Sequence, residues 1–321
     1  MKISVNGSQG IVLEFARAIG ATVEGRFVHI PAKKGAGYIT GFSWDNLRMM
    51  IRNYYLKEAV LVEWTHTGHV SQENVVFQLS GIFPPVTPPD AQLRPERARI
   101  LICTQSVTSV IAMPSNTIFG SATIAVSRPY LQQMFGHLEH PVVAAIVAAK
   151  ENFIFETNLS TDIINTASKI LHQPVPESLA YHYYKLICEE FICHIIALLL
   201  QREAVPAQGM HLDDIKAIYN VRGQLQAHLD EPPNIAALAR AAGMSASKLR
   251  KLFKQTFGKG VFEYYQFERM QQAAELLRDQ RLTVSEVGYR LGFTNLSHFT
   301  RVFSAHFGTK PKKYAVSFAA P

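Results

Sequence analysis

Ser247, Arg250, Lys251 and Lys254 fall on one side of a stretch running from Ser245 to Phe257, and Asn295, Ser297, His298 and Arg301 do the same within Thr294 to Tyr314. These are hydroxyl, amide, imidazole, guanidinium and ammonium groups, and no carboxylate interrupts Ser245 to Lys259 or Thr294 to Lys313. Such a front donates hydrogen bonds to anionic oxygens, and an arginine fork also matches the paired acceptors of a guanine edge. A merely solvated basic face is the alternative for any one of these residues.

The elements that must hold these side chains are amphipathic helices. Leu249, Leu252, Phe253 and Phe257 form the apolar stripe of the first, and Phe299, Val302, Phe303 and Phe307 that of the second. Each follows a short helical pattern, Leu238 to Gly243 and Val287 to Leu291, with Gly243 or Gly292 free to make a sharp turn. Leu249, Phe253, Phe257 and Gly258 align with Phe299, Phe303, Phe307 and Gly308 at a constant offset of fifty residues, which marks an internal duplication. Phe262 to Arg278 reads as one helix long enough to hold two small modules at fixed separation. The outline is two helix-turn-helix motifs on a rod. In the first, Ser247, Arg250 and Lys251 are placed to enter a groove and Lys254 and Lys259 to meet phosphates; the second, with one arginine, leans more on backbone contacts.

The runs LARAAGMSASKLRKLFKQTFG, FEYYQFERMQQAAELL, VSEVGYRLGFTNLSHFTRVFSAHFG and KPKKY together resemble the AraC/XylS transcriptional regulators over the last third of the chain. Within that family, LDEPPNIAALARAAGMSASKLRKLFKQTFG is most similar to the siderophore-responsive PchR-type branch. The resemblance implies a sequence-specific transcriptional regulator, activator or repressor, that answers to a small-molecule effector, and two reading helices on one rod suit a bipartite site on double-stranded DNA. The family's closing Pro-x-x-Tyr-Arg departs here, since Pro311 and Tyr314 are followed by Ala315.

At 321 residues the chain fits two domains. Of its 32 Lys+Arg and 25 Asp+Glu, sixteen and nine lie in Asp213 to Pro321, leaving sixteen of each before them, so the whole excess of +7 sits in the tail. That distribution suits a polyanion-binding module joined to a neutral partner domain. Glu203 to Gly209 has linker composition, which divides the chain into an effector-sensing and dimerisation domain, 1–205, and a DNA-binding domain, 210–321. Three cysteines, Cys103, Cys188 and Cys193, make neither an even disulfide framework nor a C-x-x-C pair. With no signal-like or membrane-spanning run, a soluble cytoplasmic protein is expected, with no membrane partner.

The fold class expected is α+β. Residues 1–127 alternate short apolar runs with turn residues and read as strands: Thr22 to Ile30, Gly37 to Phe42, Leu47 to Tyr54, Ala59 to Thr65, Val75 to Leu79, Ile100 to Gln105, Val107 to Met113 and Ile118 to Val126. Phe83 to Pro95 reads as a proline-rich loop. The strand pattern fits a sandwich or a barrel, and the family resemblance implies a cupin-like barrel. Residues 128–205 read as helices, the longest from Glu177 to Arg202. Its Leu186 to Leu200 is apolar around most of the circumference, so a homodimer through helix 177–202 is expected.

Trp44, Arg48, Arg52, Tyr54 and Trp64 are the candidate ligand-binding residues. Alternation in Leu47 to Tyr54 puts Arg48 and Arg52 on one face; an anionic effector follows if that face points inward, and nothing follows if it points to solvent. Gly35, Gly37 and Gly41 lack the spacing of a dinucleotide loop. His66 and His69, with His29, suit a polar turn better than a metal site, and Glu190 with His194 reads as a satisfied pair. No cofactor, metal or catalytic residue is expected, and the chain is not read as an enzyme. The alternatives are a DNA-binding protein whose first domain is a metal-dependent cupin enzyme or a ligand-free dimerisation module.

Overall fold

The computed structural model describes residues 2–5, 11–64, 74–84, 93–105, 110–113, 115–148, 152–172, 175–202, 205–206, 209–278 and 282–317. The chain divides into two compact units, Met1–Met210 and His211–Pro321.

The first unit is built on a sheet in the order β12-β9-β7-β11-β5-β4-β3-β2. Its strands are β2 Thr22–Glu24, β3 Phe27–His29, β4 Gly35–Ser43, β5 Leu47–Leu56, β7 Asn74–Ser80, β9 Arg99–Thr104, β11 Thr117–Ser127 and β12 Ile154–Thr157, with β8 Arg94–Pro95 paired to β11. A second sheet, β1-β6-β10, joins Lys2–Val5, Val60–Trp64 and Val110–Met113. The cupin-like barrel expected from the resemblance is therefore not closed among the described residues. The reason is that β6 pairs with β1 and β10 instead of extending the large sheet, whose end strands are β12 and β2.

Alternation sends the two faces of the large sheet into different cores. Leu47, Met49 and Ile51 pack with Val75, Phe77, Ile100, Ile102 and Ile124 under α2 Arg128–Phe135, α3 Pro141–Val147, α4 Thr161–His172 and α5 Glu177–Leu199. On the other face Tyr54 and Leu56 join Val28, Ile39, Val60 and Phe119 against Phe15, Ala16 and Ile19 of α1 Ile11–Ile19. Three sequence expectations change. A helix, α1, lies within the part read as strands, and a strand, β12, lies within the part read as helices, where its pairing with β9 outweighs local pattern. Thr22 to Ile30 is a hairpin about Gly25 rather than one strand. The loop expected over Phe83 to Pro95 and the linker over Glu203 to Gly209 lie partly outside the described residues.

The second unit is all helical among the described residues: α6 Leu212–Ala227, α7 Ile235–Ala241, α8 Ala246–Phe257, α9 Val261–Arg278, α10 Val284–Arg290, α11 Leu296–Phe307 and α12 Pro311–Val316. Helix α9 is the rod, touching α6, α8, α10, α11 and α12. One apolar core runs through both halves, with Leu249 and Phe253 of the first, Phe299 and Phe303 of the second, and Tyr265, Met270, Ala273 and Leu277 of α9 between them.

Candidate nucleic-acid interface

The helix pair α7–α8 turns at Gly243, and α10–α11 at Gly292, each with positive φ, +64° and +74°. The two turns differ in what surrounds them. A Cβ on Gly243 meets nothing within 4 Å, whereas one on Gly292 would fall 1.8 Å from the Asp230 carbonyl oxygen. Gly243→Ala is therefore expected to cost about 1 kcal/mol through its backbone conformation alone. Gly292→Ala adds a backbone collision and should cost about 3 kcal/mol or more. Chemical denaturation of the two variants checks this, and equal losses would refute the close approach as the deciding factor.

The second helix of each pair is capped at its start. Ser245 Oγ accepts from the Lys248 backbone N–H at 3.2 Å, and Asn295 Oδ1 accepts from those of Ser297 and His298 at 2.9 and 3.1 Å. Both end at a left-handed glycine, Gly258 and Gly308. Thr283 and Glu286 form a capping box on α10, and hydrogen bonds from the Thr283 backbone and side chain hold the Glu286 carboxyl below its ordinary range.

With the phenylalanine stripes inward, Ser247, Arg250, Lys251 and Lys254 are exposed on α8, and Ser297, His298 and Arg301 on α11. Asn295 is exposed too, but its carbonyl oxygen is engaged in the cap, which leaves its amide N–H₂ as the outward group. His298 lies edge-on to Phe293, 5.8 Å between ring centres.

Sequence reading passed over the residues that hold this frame. Arg269 is buried in α9, donates from Nε to the Leu291 carbonyl at 2.7 Å and lies 3.6 Å over the Phe293 ring, so it fixes the second turn from below. Tyr265 donates to the Leu229 carbonyl at 3.2 Å. Lys248 Nζ pairs with Asp214 of α6 at 2.8 Å, which sets it apart from its neighbours Lys251 and Lys254. Only the unusual presence of an arginine on the inner side of a rod helix could have signalled the Arg269 contact.

Of the described residues considered for a ligand, only Arg52 and Tyr54 come together, the Arg52 guanidinium bonding the Tyr54 hydroxyl. Trp44 packs on the helical side, stacked on Phe42 at 5.8 Å and against Tyr181 of α5 at 5.3 Å. Arg48 is exposed, and Arg52 and Tyr54 are buried on the face covered by α1. The Trp64 side chain, His66 and His69 lie outside the described residues. Glu190 accepts from Thr166 and Lys169 and lies 3.6 Å from His194. No group of three metal-ligating side chains occurs among the described residues, and no described helix is long and apolar enough to cross a membrane. Cys103 and Cys188 are buried, and burial pushes both thiols up, Cys103 to about 12.

Residues 238–316 match the family model described as a helix-turn-helix domain. The chain is 25% identical over 146 residues to the HTH-type transcriptional regulator GlxA of Rhizobium meliloti (strain 1021), covering 44% of each chain. It is 31% identical over 118 residues to the arabinose operon regulatory protein of Salmonella typhimurium (strain LT2), covering 36% of this chain and 42% of that one. A solved structure, a probable AraC family transcriptional regulator from Rhodopseudomonas palustris CGA009, is 28% identical and covers 33% of this chain and 99% of that one, with a TM-score of 0.30. The chain thus spans less than half the length of these curated relatives.

Proposed function

We propose that this chain is a sequence-specific DNA-binding transcriptional regulator of the AraC/XylS type. The observation that carries this reading is the duplicated cationic and hydroxyl front of α8 and α11, mounted on one rod and coinciding with the matched helix-turn-helix segment. Two such fronts would serve successive major-groove segments of a bipartite operator, about 34 Å apart along one DNA face. Ser247, Arg250, Lys251, Ser297, His298, Arg301 and the Asn295 amide are the groove-facing candidates, and Lys254 a phosphate contact. Selecting bound fragments from random DNA with the purified chain tests the reading. A two-block consensus is the expected result; recovery of unenriched sequence would sink it.

In the same reading the first unit binds the effector and pairs two copies. The siderophore-responsive branch rests on the wording of residues 229–258 alone. A metal-dependent enzyme draws no support from the described side chains. For pairing, Leu179, Leu186 and Cys193 of α5 and its C-cap Leu200 are all exposed and recur every seven residues, with Leu186 64% exposed. One position in seven is one of the two rows of a coiled-coil seam, and a second copy of the same helix would pack on it. Leu186→Lys would bury two ammonium groups at this seam and should weaken the dimer about 100-fold without unfolding the monomer. Sedimentation equilibrium reads the change, and an unaltered mass distribution would remove α5 as the interface.

A further inference from the structure

Arg52, on β5, is 4% exposed, and its Nε and Nη2 have no hydrogen-bond partner. Those two nitrogens share one edge of the guanidinium, so the unmet donors are two parallel N–H groups, the arrangement that takes a carboxylate with both oxygens. Across the ladder, in register with Arg52, stands Ser121 of β11, fully buried with an unpartnered Oγ. The β7–β11 ladder ends at Leu79 and Ala122, which leaves Ser80 and Ser121 as the next residues on each strand. Ser80 donates to Glu96 Oε1 at 2.8 Å, while the buried Glu96 Oε2 has no partner. Burial pushes the Tyr54 hydroxyl up to about 12 against the charge of Arg52, with a lesser push from Glu96 and a hydrogen bond from Arg52 that pulls it back, so Arg52 already meets that hydroxyl and both charges lie within its electrostatic reach.

Buried polar groups are ordinarily paired, and a buried guanidinium edge left unmet is costly. Arg52 and Ser121 face each other across one ladder and Glu96 is tied to Ser80 beside them, so three orphaned groups of complementary kind call for a common partner. Two donors on Arg52 require two acceptors; Glu96 Oε2 requires a donor; Ser121 accepts or gives. The geometry points to a binding site for a small carboxylate that also carries a hydroxyl or amino group, held by the Arg52 edge at its acid end and by Glu96 and Ser121 at its donor end. This deepens the effector-binding part of the reading above and rests on it. Phe15, Ala16 and Ile19 of α1 pack in the same buried cluster as the neighbouring Tyr54 and Phe119.

The test is the thermal unfolding of the full chain in sodium acetate, sodium glycolate and sodium chloride at matched ionic strength. Acetate should raise Tm above chloride by about 3 °C once it exceeds its Kd roughly tenfold, and glycolate, which adds the hydroxyl, should reach that rise at lower concentration. The carboxylate-specific rise should vanish in Arg52→Met, or in Arg52→Lys if the first variant fails to fold, because an ammonium lacks the two-pronged edge. In Glu96→Gln the advantage of glycolate over acetate should shrink. Equal shifts in chloride and acetate, or an unchanged acetate shift in the Arg52 variants, would overturn the site. DNA binding measured on the same samples separates the two claims: operator binding that persists without a carboxylate effect defeats this site alone.

Discussion

Truncating Phe303 to alanine should remove about 3–5 kcal/mol from the stability of the His211–Pro321 unit, a large part of the 5–15 kcal/mol that a domain commonly has. Phe303 is fully buried and its ring meets Phe299, Phe307 and Tyr314 at centroid distances of 5.9, 4.6 and 5.4 Å. No polar group or ordinary side-chain shift can fill the space left by a phenyl ring in such a cluster. Phe253 plays the same part in the first half, packed on Phe257 and Tyr264 at 4.6 and 5.4 Å. Because α9 is buried against both halves, the two belong to one core. Phe253→Ala and Phe303→Ala should therefore each lower the midpoint of the one urea transition of the His211–Pro321 unit with its slope unchanged. If probes placed in the two motifs of that unit reported different midpoints in either variant, the rod would not couple the motifs, and a fixed spacing between the fronts would lose its basis.

The parts of this fold legible in the sequence are those where period and length reinforce each other. The stripes Leu249–Phe253–Phe257 and Phe299–Phe303–Phe307 lie on twelve-residue helices with capping residues at one end and glycine at the other, so several local signals agree. Where the outcome depends on distant partners, local pattern failed. The run Ile154–Thr157 is four residues long and becomes a strand only because β9 offers an edge. The nine residues of α1, by contrast, carry a helical period of their own, with Phe15, Ala16 and Ile19 on one side against Tyr54 and Phe119, a local signal that a reading of residues 1–127 as strands leaves out. Alternation places Arg48 and Arg52 on one face, but it does not say how far the cover extends, and in the structure it reaches Arg52 and not Arg48. Asn295 shows the same limit on the interface itself: a side chain that suits a base edge also suits a helix cap, and here its oxygen is engaged in the cap.

Arg250→Ala and Lys254→Ala should separate the two kinds of contact on α8. Both side chains are exposed on the unit's cationic front, so their removal should leave the stability of the unit within about 0.5 kcal/mol. Arg250 lies five residues past the Ser245 cap, in the end of the helix that enters a groove, and its fork can match O6 and N7 of guanine. Losing that pair should weaken operator binding by about 10- to 100-fold and level the preference at one base position, while binding to unrelated DNA changes much less. Lys254 follows one turn later, where a point charge meets phosphate. Its removal should weaken operator and unrelated DNA alike and reduce the slope of log K against log salt by about one. The competing possibility is that both are solvated charges on a wet helix face; then neither variant changes sequence preference, and neither changes the salt slope. Titrations of both variants against operator and scrambled duplexes at several salt concentrations decide it, because specificity and counterion release are read from the same curves. If Arg250→Ala keeps full operator preference, the groove-facing register assigned to α8 is wrong, and the reading edge must lie elsewhere on the helix.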